Sequence, residues 1–152
     1  MAAPSNWTIF NLAKYAIGHK QIDLVGDTFK LALFTSSSNC ANAALSHTGS
    51  TPPLYSDLTN EVSSTNTGYS TGGATVSTSW ADASGTETFT TGTAMWTAGS
   101  ANLVARYAVL YDSTSSNLIG YMTLDSSPAD VTTYTGNQLA VQAAGLGIFT
   151  MA

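Results

Sequence analysis

The sequence predicts a mainly β fold: an antiparallel β-sandwich or jelly roll carrying one amphipathic helix near its N-terminus. Three observations predict it. Short apolar runs with period-two alternation recur through the second half of the chain, separated by Gly, Asp, Asn and Ser. No segment of helical length lies between successive runs, which disfavours βαβ units and a parallel sheet. A single early stretch repeats its apolar residues at the helical period instead.

That stretch is NWTIFNLAKYAI, residues 6–17. At about 100° per residue, Ile9, Phe10, Leu12, Ala13, Ala16 and Ile17 share one arc, with Thr8, Asn11, Lys14 and Tyr15 opposite. The helix is expected over about 6–18. Ser5 or Asn6 offers an N-cap, and Gly18 supplies a C-terminal breaker. His19 and Lys20 place cations at the negative end of the helix dipole. Trp7 and Lys14 are candidate partner contacts, although a tryptophan at the edge of an apolar arc more often seals a helix against a sheet.

The β-sandwich is expected over about 27–151. TFKLALFT (28–35) reads as a strand with Phe29, Leu31 and Leu33 on one face and Lys30, Ala32 and Phe34 on the other. Residues 36–60 form a long polar stretch carrying Cys40, His47, Pro52, Pro53 and Tyr55. A loop of this length is expected to be functional or seated against a neighbour, the alternative being a solvated excursion. His47 and Tyr55 are taken from it as candidate partner contacts.

Strands are then expected at 74–80, 86–90, 93–97, 103–111, 117–124, 138–143 and 147–151. Gly72 and Gly73 precede the first of these, where the turn needs backbone freedom, and Ala83, Ser84 and Gly85 separate the first two. The least polar long segment, ARYAVLYDSTSSNLIGYMTL (105–124), reads as a hairpin. Tyr107, Val109 and Tyr111 alternate with Ala108 and Leu110, DSTSSN turns the chain, and Leu118, Ile119, Tyr121 and Met122 return. Asp112 is expected to open that turn through its own backbone. Arg106 is expected to order the fold by pairing with Asp112, Asp125 or backbone carbonyls. No repeat or linker divides the chain, so residues 1–152 are read as one domain.

Composition sets the surface chemistry. The chain has 23 Thr and 19 Ser but only four Lys or Arg and nine Asp or Glu, so hydroxyls and amides must supply most of the polar surface. A net charge of −5 with so few cations leaves little to neutralise phosphates, which argues against nucleic acid. It argues equally against electrostatic docking to anionic lipid. No apolar run approaches the ~20 residues that span a bilayer, and MAAPSNW lacks the basic and apolar regions of a secretory signal. The single cysteine, Cys40, allows no internal disulfide and fits a reducing compartment.

The residues for chemistry are sparse. The two histidines are far apart, and neither lies near a nucleophile-elbow sequence. The carboxylates of the β region (Asp57, Glu61, Asp82, Glu87, Asp112, Asp125 and Asp130) mostly adjoin turn residues, where Asp caps its own backbone. One Cys and two His do not make a zinc cage, no EF-hand loop is present, and GYSTGG (68–73) lacks the lysine of a P-loop. No catalytic residue, metal or cofactor is therefore expected, with a calcium ion bound by turn carboxylates left open.

The order of an N-terminal helix, GDTFKLALFTSS (26–37), a long polar loop, TGYSTGGATVS (67–77), ARYAVLYDSTSSNLIGYMTL and a C-terminal GIFTM resembles a family of small tailed-bacteriophage virion structural proteins. The resemblance covers nearly the whole chain, and its motifs are structural ones. It implies an accessory protein of the particle: a capsid decoration, or cement, protein on the outer surface of the major capsid protein shell, made in the host bacterial cytoplasm. A dimer or trimer on the shell is expected. Trp7, Trp80 and Trp96 are the candidate anchors, since tryptophan is enriched at binding hot spots. The alternative is a tail-fibre or baseplate component that recognises a host-surface glycan.

Overall fold

The structure is a computed structural model that describes residues 6–127, 130–143 and 147–151. In chain order its elements are β1 (Thr8–Ile9), α1 (Asn11–Gly18), β2 (Phe29–Phe34), a 3-10 turn (Tyr55–Asp57), β3 (Ala74–Val76), β4 (Thr78–Ala83) and β5 (Thr86–Thr91). They continue with β6 (Ala94–Thr97), β7 (Leu103–Ala105), β8 (Tyr107–Asp112), β9 (Leu118–Thr123), β10 (Val131–Thr133), β11 (Gln138–Val141) and β12 (Phe149–Met151). Every strand pairing is antiparallel. Among the described residues the chain is thus mainly β with one α-helix, consistent with the expected β-sandwich.

The principal sheet runs β1-β9-β8-β2-β3. Its interior strand β2, between β8 and β3, is buried on both faces, because the two sets of alternating side chains enter two different cores. Phe29, Leu31 and Leu33 point into the larger core, where β5, β6, β7 and β11 contribute Phe89, Trp96, Leu103 and Val141. Ala32 and Phe34 point the other way, into a core closed by Phe10 and Ala13 and by Cys40. Full burial of a Phe or Leu side chain is worth about 1.5–3 kcal/mol. The helix and the 36–60 loop together therefore hold the second face out of water.

That seating resolves the long loop. Cys40 is completely buried, Pro52 and Pro53 are buried, and isolated bridges join Phe34 to Glu61 and Leu54 to Asn117. The loop is a cover on this chain's own sheet rather than a solvated excursion.

The helix is shorter than its apolar period suggested. Thr8 and Ile9 pair with Tyr121 and Gly120 of β9, and the Phe10 N–H donates to the Ile119 carbonyl at 3.1 Å. These residues are committed to a sheet edge, so the helix starts at Asn11 with Phe10 as an N-cap that makes no side-chain bond. Asn6 is not the cap, and Ser5 lies outside the described residues. Gly120 permits the pairing, since a Cβ there would lie 2.8 Å from the Thr8 carbonyl oxygen. At the other end His19 caps through its backbone N–H and stacks on Tyr15 with ring centroids 3.9 Å apart.

Two expected strands are each a pair of strands that bend into different sheets. The 74–80 run breaks at Ser77, leaving β3 on the principal sheet and β4 on the three-stranded sheet β12-β5-β4. The 103–111 run breaks at Arg106, between β7, which pairs with β10, and β8, which lies between β2 and β9. Alternation survives such a corner, so it does not mark the break.

Candidate binding surface

The apolar residues of β1 and α1 are only partly covered by the rest of the chain. Ala13 and Ala16 are buried, whereas Ile9 of β1 and Ile17 of α1 stay half-buried. Beside them β12 contributes Phe149, which packs on Phe89 and Trp80 with centroids 5.4 and 5.9 Å apart. The result is a groove of about 510 Å³ lined by Ile9, Lys14, Ile17, Phe149, Thr150 and Met151.

A second depression of about 500 Å³ continues it past Ile17 and Met151 to Ile22, Leu24, Val25 and Trp80. Val25 is 78% exposed and Met151 48%. Lys14 lines the first part, and Lys20 and Asp23 the second. The N–H groups of Val25 and then Gly26 hold the Asp23 carboxyl below its ordinary value, so it stays charged at the rim. An apolar floor with a sparse charged rim is the anatomy of a protein-binding patch.

The candidate contacts named from the sequence are dispersed. Lys14 lies in this groove. Trp7 is half-buried against the larger core, and its buried indole N–H has no hydrogen-bond partner. Trp80 lines the second depression, half-buried. Trp96 is only 5% exposed and packs near Tyr69, so it is a core residue and not a partner contact. It faces inward because β6 alternates, leaving Met95 exposed in its place.

His47 lines a different depression of about 480 Å³ with Gln21, Thr48, Thr51, Pro52, Leu54, Ser115 and Asn117. Its Nδ1 lies 2.8 Å from an Asp57 oxygen, and the other oxygen accepts the Leu54 N–H at 2.7 Å. The pair fastens the loop onto its own 3-10 turn. Among the described residues no serine or threonine hydroxyl bonds the histidine.

Tyr55 turns inward and stacks on Tyr111 with centroids 4.3 Å apart. It belongs to a buried polar network around Glu61. One carboxylate oxygen of Glu61 accepts both the Tyr69 hydroxyl and the Gly72 N–H at 2.6 Å. Tyr69 accepts the Leu33 N–H at 3.1 Å, and Tyr111 donates to the Gly72 carbonyl at 2.8 Å. Tyr55 faces the same carboxylate without reaching hydrogen-bond geometry. Burial, and then Glu61, push the Tyr55 and Tyr69 phenols well above their usual range.

Arg106, Asp112, Gly72 and Gly73, expected to be structural, lie at turns and at a corner between strands. Arg106 donates through its guanidinium to the Ser127 carbonyl, the backbone option among those expected. Asp112 is fully buried, accepts the Thr114 N–H at 2.7 Å and takes the Ser115 hydroxyl, opening its turn as expected. Gly72 and Gly73 both have positive φ, and a Cβ on Gly73 would fall 1.9 Å from the Leu31 carbonyl oxygen.

Ile17, Phe149 and Met151 of the groove were not singled out by sequence, since nothing local says that α1 and β12 meet. Among the described residues no group of three or more His, Cys, Asp or Glu is placed to hold a metal ion, and no helix is long and apolar enough to cross a membrane. Comparison with known proteins finds no matching family model, curated protein or solved structure.

Proposed function

We propose that this chain is a virion structural protein of a tailed bacteriophage, a capsid decoration protein that binds the outside of the major capsid protein shell. The observation that carries the reading is the continuous apolar groove between α1 and β12, with Val25 and Met151 exposed on its margin. It suits lasting contact with another protein. The resemblance of the sequence motifs to phage virion proteins supplies the identity of that partner.

The rest of the surface supports it. Ser, Thr and amide side chains lose less rotamer entropy on ordering than Lys or Glu, so a hydroxyl surface lowers the cost of a broad contact. Each copy that binds the assembled lattice and not the separate subunits shifts the equilibrium toward the intact shell. The test is to prepare particles without the chain. They should assemble yet break at lower temperature or under osmotic shock, and unchanged robustness would sink the proposal.

A second reading, a tail-fibre or baseplate component that binds a host glycan, draws on the depression at His47, where Thr48, Thr51, Gln21 and Asn117 offer hydroxyls and amides beside the apolar Pro52 and Leu54. Copy number separates the two. A decoration protein should be present on the order of hundreds per particle and a tail component at roughly tens or fewer, following the symmetry of each substructure.

A further inference from the structure

The groove is lined by Phe149, Thr150 and Met151 in succession. Side chains along a strand alternate between faces, so a cavity over a face is lined by every second residue. Successive residues place this cavity along the edge of β12. That strand is the outer member of its sheet and pairs with β5 on one side only. Its other edge presents backbone N–H and C=O groups that no ladder partner takes up among the described residues. Across the gap stand Ile9, on the outer strand of the principal sheet, and Ile17 and Lys14 of α1.

We propose that this gap receives an extended segment of the partner protein, which pairs with β12 as an added strand. Backbone hydrogen bonds to β12 supply affinity, and pockets for alternate side chains supply selectivity. The segment carries apolar residues toward Ile9 and Ile17 and a carboxylate toward Lys14, which has no ion pair among the described residues.

Charge complementarity selects this occupant over an isologous pair of copies joined β12 to β12. Pairing two copies edge to edge through β12 brings Phe, Thr and Met to the gap, none of which answers the lysine. The inference rests on the shell-binding reading for whose segment it is, while the groove itself defines the segment's chemistry.

The test measures backbone hydrogen exchange of the wild-type chain, free and bound to shells that lack it, beside shell binding by Lys14→Glu and Lys14→Arg. Protection gained at Phe149 to Met151, with binding weakened about tenfold or more by the Glu variant and kept by the Arg variant, is the expected result. Firm shell binding without β12 protection, or an unaffected Lys14→Glu, overturns strand addition while leaving the function reading in place.

If the wild-type chain does not bind shells, the function reading fails and a synthetic peptide decides the inference. A peptide of about eight alternating Val and Thr residues with a central Glu should shift the β12 amide resonances, and its Lys counterpart should bind about tenfold more weakly. No binding, equal binding, or shifts confined elsewhere overturns it.

Discussion

The Tyr69 hydroxyl and the Gly72 N–H meet on one oxygen of Glu61, each at 2.6 Å, and thereby tie the GYSTGG turn to the end of the long loop. Removing the carboxylate leaves a buried hydroxyl and a partly buried N–H without an acceptor. Glu61→Leu should destabilise the fold by about 1–3 kcal/mol and Glu61→Gln, which keeps one acceptor, by less. Urea unfolding of the two variants measures the difference, and equal stability would refute the network's role.

Gly72 and Gly73 make a paired comparison. Both lie at positive φ, which costs a non-glycine residue about 1–3 kcal/mol. A Cβ on Gly72 meets only the Tyr111 hydroxyl, at an ordinary 3.6 Å, whereas one on Gly73 collides with the β2 backbone at 1.9 Å. Gly73→Ala should therefore lower the unfolding midpoint clearly further than Gly72→Ala.

Asp112 gives a pH signature. Burial raises its carboxyl above the ordinary range and the nearby Asp27 carboxyl adds to the rise, against the Ser115 and Thr114 hydrogen bonds. Between the ordinary value near 4 and the raised one, the folded state holds a proton that the unfolded state has released. The stability from this site is fully present below that window and is lost as pH rises through it. Relative to Asp112→Asn, the wild-type chain should lose stability from about pH 4 upward. A relative gain over the same range in denaturant titrations would contradict this.

Cys40 reports on the loop that covers the sheet. Burial pushes its thiol up to about 11, so at pH 8 roughly one molecule in a thousand carries the thiolate. Labelling by a thiol reagent should be slow in the native chain and should accelerate on unfolding, through opening of the 36–60 segment. Rapid native labelling would mean that the loop does not stay seated.

Arg106→Met should cost about 1–3 kcal/mol through loss of its charged hydrogen bond to the Ser127 carbonyl, and should leave partner binding intact. Calorimetry and shell co-sedimentation check the two halves separately.

The strand content was legible because alternation is a local signal, and β2, β8 and β9 display it wherever they run. The two faces of β2 were assigned correctly for the same reason. What escaped was set by distant partners. Thr8 and Ile9 carry a helical period yet pair with β9, and β10 is a short Val-Thr-Thr segment recognisable only beside β7. The roles of Gly73 and Asp112 are backbone roles and were readable as such. The groove was not, because Ile17 and Met151 are far apart in the sequence and become neighbours only through folding.

Ile9 and Thr150 line one cavity, so the first and last described strands lie close to each other. A payload fused before β1 or after β12 would start from the walls of the groove and crowd whatever binds there. The β4–β5 hairpin offers another route: Ala83, Ser84 and Gly85 are exposed, and nothing lies within 4 Å of a Cβ built on Gly85. Circular permutation follows the same logic. A linker from β12 to β1, with the chain opened at that hairpin tip, should preserve the cores.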